Sequence, residues 1–155
     1  MTAHRYVGEP RLNLPKAMPR AYKALGAAEL AVRESALDPT IRELVKLRAS
    51  QMNGCVHCVD IHSHEALELG ENLDRILQLV AWRESPLYTP AERAALEYTE
   101  AATTLGPHGV ADDVWAGVRD VMTDEELGAL VVQVALINAF NRFGVPLQMP
   151  IRQRG

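Results

Sequence analysis

Cysteine is scarce in this chain, two of 155 residues, and both lie in one short stretch as Cys55 and Cys58. A structural zinc site draws its ligands from two segments, and the missing second pair disfavours one. No run approaches the roughly 18 apolar residues of a membrane-spanning helix. The N-terminal "MTAHRYVGEPRLNLPKAMPR" has charges and prolines but no apolar core of a signal peptide. The chain is therefore expected to be soluble and cytoplasmic, with no membrane partner. Charge of one sign is not clustered either: net charge is −4 and the Lys and Arg residues are scattered, which argues against nucleic acid as a partner. Lys46 and Arg48 lack a phosphate-loop context, and no Gly-rich nucleotide motif occurs.

Strand alternation, internal repeats and low-complexity linkers are also missing. What is present after residue 17 reads as helix. Asp38 as N-cap with Pro39 behind it opens a helix that Asn53-Gly54 ends, and a second begins around Cys55 and runs to Leu69-Gly70. A third is expected in "ENLDRILQLVAWRES", with Leu73, Ile76, Leu77 and Val80 as its apolar stripe. Thr89 with Glu92, and Thr123 with Glu126, form capping boxes that start two more, and "ADDVWAGVRDVM" is a shorter helix between them. The last is expected to close at Gly144. Its Val131–Ile137 segment could pass for a buried strand, but the caps and a frame of about 20 residues favour a central helix. The reading is an all-α, single-domain bundle of about six to seven helices spanning 1–155, with a chemical core at about 38–70.

That core holds "NGCVHCVDIHSHEALELG". At helix spacing i and i+3, Cys55 and Cys58 share a face and can close a disulfide. His62 falls on the same face, able to take a thiol proton or stabilise a thiolate. His57 is rotated away from that stripe, and His64 points elsewhere, towards solvent. A thioredoxin motif needs a βαβ context that is absent. Zinc on Cys55, Cys58 and His62 is the chemical rival, although His4 and His108 have no ligand-like spacing to complete it. Asn138, Asn141 and Arg142 interrupt the last helix and are read as core hydrogen-bonding groups, with the cysteine pocket as a second place for Asn141 or Arg142. Trp82, Trp115 and Phe140 are read as core or interface.

Glu43, Cys55, His57, Cys58 and His62, spaced E-x11-C-x-H-C-x3-H, resemble the active-site signature of AhpD-like alkylhydroperoxidases in the carboxymuconolactone decarboxylase superfamily. The resemblance covers about Arg42–Gly70, with "ALINAFNRFGVPL" as a weaker second segment. It implies an all-helical homo-oligomer, a trimer or hexamer, that reduces hydroperoxides without metal or other cofactor. Its redox group would be the Cys55–Cys58 disulfide, recharged by an external dithiol protein of lipoyl-carrier or thioredoxin type. Cys58 would be the peroxidatic cysteine, Cys55 the resolving one, and Glu43, His57 and His62 the proton relay. Without the resemblance, the helix dipole favours Cys55 as nucleophile, the i+4 histidine favours Cys58, and Glu43 with Lys46 is a surface ion pair. Cys55, nearer the helix start, is expected to be the more exposed sulfur and the one that meets the reductant. Lactone decarboxylation and a non-enzymatic redox switch or assembly module are the competing functions.

Overall fold

The computed structural model describes residues 8–153, so His4 lies outside them. It is all-α, with eight α-helices and no strand among the described residues. A short α1 (Leu14–Ala17), capped by Asn13, leads into α2 (Pro19–Arg33). Then come α3 (Pro39–Asn53), α4 (Val56–Glu68) and α5 (Leu73–Gln78), the last continued by a 3₁₀ turn at Leu79–Ala81. The chain ends with α6 (Pro90–Thr104), α7 (Asp112–Arg119) and α8 (Asp124–Leu147). The short α1, ahead of the region after residue 17 that reads as helix, takes the count past the expected six to seven.

Local chemistry explains most boundaries. Asp38 Oδ1 accepts from Thr40 N at 2.7 Å and Ile41 N at 3.2 Å, and Pro39 occupies N1, where no N–H is needed. Both capping boxes form, Thr89 with Glu92 and Thr123 with Glu126. Gly54, at φ 67°, supplies the left-handed residue that turns α3 back into α4. Gly70 (φ 92°) does the same beyond α4, where Glu71 N donates to Ala66 O at 3.0 Å.

Three expectations are corrected. The buried side of the α5 region is Ile76, Leu79 and Trp82, whereas Leu73, Leu77 and Val80 are exposed, because the chain tightens into a 3₁₀ turn and shifts the helical stripe. The last helix does not close at Gly144: it runs on to Leu147 with Pro146 inside it and is capped by Gln148 in the left-handed region. The Nη1 of Arg11 donates to the Pro146 carbonyl and Arg11 N to that of Leu147, so the N-terminal segment satisfies the end of α8. Trp115 is 39% exposed, which removes the core half of its core-or-interface reading, while Trp82 is buried with its indole N–H on Glu100.

α3 is the hub of the bundle, packed on α4, α6 and α8. One apolar cluster joins α2, α3, α6 and α8 around Val45, Leu130 and Val134. A second joins α3 to α4, α5 and α6 around Leu44, Leu47 and Leu96. Among the described residues only α8 is long and apolar enough to cross a membrane by length and composition. Its packing against α2, α3, α4 and α6 explains that apolarity as a central helix.

Candidate active site

Cys55 is the N-cap of α4, and its Sγ accepts from the Cys58 N–H at 3.3 Å. The two sulfurs are bonded to each other, with the Cα atoms 5.3 Å apart, so the structure describes the oxidised dithiol. Cys55 N donates to Ser50 O at 3.0 Å, fixing the start of α4 against the end of α3. Behind the pair an amide network ties α3 to α8. Asn53 Nδ2 donates to Asn138 Oδ1 and Asn141 Oδ1, both at 2.9 Å, and Asn141 Nδ2 donates to Ser50 Oγ at 3.0 Å. This bears out the core hydrogen-bonding role read for Asn138 and Asn141; Arg142 is exposed, on the Asn138 carbonyl.

α8 presses directly on the disulfide at Gly144. A Cβ there would lie 2.7 Å from Cys55 Sγ and 3.5 Å from Cys58 Sγ. Glycine at this point is therefore required by close approach, not by helix termination. Cys55 is in consequence 1% exposed and Cys58 4%, which reverses the expected order of accessibility. Only Cys58 of the two lines the adjoining cavity, a space of about 440 Å³ between α2, α3, α4 and α8.

His57, His62 and Glu43 line that same cavity, so four of the five signature residues meet there with Cys55 behind them. Glu43 and Lys46 do pair, at 2.8 Å, but both are buried, which rules out the surface ion pair as an account of Glu43. α4 runs back along α3 after the Gly54 turn, and this brings His62 Nδ1 to 3.3 Å from Glu43 Oε2 and 3.0 Å from Glu65 Oε2. The single Nδ1 proton is hydrogen-bonded to Glu65, so Glu43 Oε2 is buried beside the imidazole without a donor of its own. Burial works to raise the Glu43 carboxyl, but the contacts with His62 and Lys46 outweigh it and hold the group at about 2. Burial works to lower His62, and its two carboxylate partners overcome that, so its pKa lies above the ordinary 6.5. The two carboxylates thus favour the protonated, proton-donating form of the ring more than solvent would.

His57 Nδ1 donates to the Pro150 carbonyl at 2.5 Å, where the C-terminal segment crosses α4; Arg152 N donates to Asp60 Oδ2 at 3.1 Å a turn further on. His64 is an outward group, its Nδ1 on the Asp60 carbonyl and its side chain 44% exposed. Cys55, Cys58 and His62 do not form the rival zinc set, because the sulfurs are joined to each other and His62 Nδ1 faces carboxylates. Glu43, His62 and Glu65 bring ligand-type atoms within 4.8 Å of one another, but Lys46 Nζ already holds a positive charge 2.8 Å from Glu43.

Sequence reasoning missed Glu65, Lys46, Arg42 and Gly144 as parts of this site. Glu65 was findable, since it lies three residues after His62 on the same helical face. Gly144 carried no local sign of its neighbour 89 residues away.

Comparison with known proteins agrees with this geometry. The chain is 36% identical over 137 residues to the uncharacterised protein YdfG of Bacillus subtilis, covering 88% of this chain and 93% of that one. The crystal structure of a protein of unknown function from Agrobacterium tumefaciens, proposed to be the antioxidant defence protein AhpD, superposes with a TM-score of 0.89. It is 38% identical and the match covers 94% of this chain and all of that one. The debrominase Bmp8, solved with 2,3,4-tribromopyrrole, shares the fold at a TM-score of 0.78 and 19% identity, over 88% of this chain and 73% of its own. The sequence profile of the carboxymuconolactone decarboxylase family matches residues 16–101, more than half the chain, and with the AhpD-like fold it shows that this protein belongs to that family as an AhpD-like member.

Proposed function

We propose that the protein is a thiol-dependent peroxidase that reduces organic hydroperoxides or hydrogen peroxide through the Cys55/Cys58 couple. The observation that carries this reading is the position of Cys58: it faces a cavity shared with the carboxylate-held imidazole of His62, while its bonding partner Cys55 is sealed behind it. In the reduced enzyme the Cys58 thiolate attacks the terminal peroxide oxygen. An S–O bond forms, the O–O bond breaks, and the leaving alkoxide takes a proton to depart as alcohol or water. His62, protonated and anchored by Glu43 and Glu65, is the proton source, and its charge favours the thiolate beforehand. Cys55 then attacks Cys58 sulfur, the S–S bond forms, the S–O bond breaks, and water leaves. His57, held by the Pro150 carbonyl at the same cavity, completes the relay.

An external dithiol, of lipoyl-carrier or thioredoxin type, returns the two electrons by two thiol–disulfide exchanges. Because Cys58 is the sulfur that reaches the cavity, the mixed disulfide forms there and Cys55 leaves as the first thiol. No metal or other cofactor enters this cycle. Exposed Leu67, Leu69, Leu73, Leu77 and Val80 gather on the α4–α5 edge and support self-association into a trimer or hexamer.

The test is hydroperoxide consumption with a panel of dithiol reductants. Wild type should turn over, Cys58→Ser should fall to background, and Cys55→Ser should stall after one equivalent with a sulfenic acid on Cys58. Full turnover by Cys58→Ser would overturn the assignment.

A further inference from the structure

The cavity beside Cys58 is not uniform. Its lining combines the apolar Tyr22, Leu30, Ile61, Phe140, Phe143 and Leu147 with the charged Arg42. Arg42 is 4% exposed. Its Nε donates to Glu43 Oε1 and its Nη1 to the Arg33 carbonyl, each at a long 3.4 Å. A guanidinium has five N–H donors, so three of Arg42's meet no protein acceptor among the described residues. Arg42 Nη2 is not among the fully buried unpartnered atoms, so the free part of the fork keeps accessible surface in a cavity wall, where an incoming acceptor can meet it.

The neighbouring carboxylates already have donors, although Glu43 keeps one oxygen without any. Glu29 accepts from Lys46 and from Gln133, Glu43 from Lys46 and Arg42, and Glu65 from His62. Arg33, exposed and lining the same cavity, has no ion-pair partner among the described residues. Arg33, Arg42 and Lys46 match Glu29, Glu43 and Glu65 in number around the cavity. Along α3, Arg42 stands eight residues before Ser50, the residue that holds Cys55, a separation of about 12 Å.

We propose that Arg42 anchors the carboxylate of an amphipathic substrate, an apolar acyl chain of medium length carrying its hydroperoxide at the Cys58 end. The substrate class rests on the peroxidase reading; the anchor itself does not. A carboxylate matches the fork of the guanidinium bidentately and meets two of its open donors. The acyl body covers the aromatic and aliphatic wall.

The anchor can be tested without chemistry, on the oxidised protein, by calorimetric titration with decanoate and with decanol. Decanoate should bind wild type about tenfold or more tightly than decanol, the size of one charge-assisted pair. That preference should vanish in Arg42→Gln and weaken in Arg42→Lys, which keeps the charge next to Glu43 and guards against a folding defect. Equal affinities in wild type, or a preference that survives in Arg42→Gln, would overturn the anchor. A second arm compares kcat/KM for a fatty-acid hydroperoxide with that for its methyl ester. A ratio above about ten that collapses towards one in Arg42→Gln supports the full proposal. Turnover of both substrates at equal kcat/KM leaves the peroxidase standing and removes the anchor. Decanoate preference without turnover of either substrate keeps the anchor and overturns the peroxidase.

Discussion

Arg75 and Arg42 are guanidinium groups packed between helices of one bundle, yet Arg75 donates all five of its N–H bonds to protein acceptors and Arg42 only two. Arg75 grips Glu71 and Glu92 with both ends of each carboxylate, reaches the Leu87 carbonyl, and lies over the Tyr88 ring at 5.0 Å. Glu92 is also the capping-box residue of α6, so the cluster fastens α5 to the start of that helix. The α3–α4 cluster uses the same residue types and leaves an orphan oxygen on Glu43, open donors on Arg42 and a cavity between them. Buried charge that is fully paired holds the fold together. Buried charge left incomplete beside a cysteine cavity is what the proposed substrate anchor would use.

Breaking the two clusters should therefore fail in different currencies. The largest effect is chemical: Cys58→Ser should abolish hydroperoxide turnover while thermal unfolding in the presence of reductant, measured against reduced wild type, shows a folded protein. Next is Glu43→Gln, which removes the buried counter-charge of Lys46 and His62. We expect roughly 3 kcal/mol of lost stability and a fall in turnover together, read by denaturant titration and peroxide assay. Its pH signature has a defined sign. Glu43 is at about 2 when folded and ordinarily near 4.5, so its contribution is present above 4.5 and is lost as pH falls towards 2. The difference between wild type and Glu43→Gln should shrink over that window. His62 runs the other way: its raised pKa means stability present below 6.5 and lost as pH rises through the folded value, and His62→Gln should remove that alkaline limb.

Arg75→Met should cost about 2 kcal/mol, less than a fully buried pair because the cluster lies at the rim, with turnover per folded molecule unchanged. A drop in turnover beyond the loss of folded protein would erase the distinction between the clusters. The smallest effect belongs to Gly144→Ala. Its Cβ would enter the space of Cys55 Sγ, and α8 must shift, costing about 1–2 kcal/mol in the oxidised protein by thermal unfolding.

Much of this was legible before any coordinates. Asp38-Pro39, Thr89 with Glu92 and Thr123 with Glu126 announced helix starts because capping depends on side chains within three residues of each other. The Cys55, Cys58 and His62 spacing announced a reactive face for the same reason. What local pattern could not announce was which sulfur would be covered. That depends on α8, whose Gly144 arrives from 89 positions downstream and inverts the exposure expected of a helix-starting cysteine. The stripe of α5 misled because its period changes at the 3₁₀ turn, and Gly144 looked like a stop because glycine serves both for termination and for close approach. In the sequence Arg42 carried no sign of its place; only the fold puts it in the wall of a cavity that α2, α3, α4 and α8 share.

The cover that α8 places on Cys55 also has a practical side for chemical probes. In the reduced protein, a bulky maleimide or iodoacetamide reagent should add once, at Cys58, and reach Cys55 only after unfolding. The chain then offers a single addressable position next to its own cavity, and mass spectrometry of the labelled protein would report one adduct where the sequence contains two thiols.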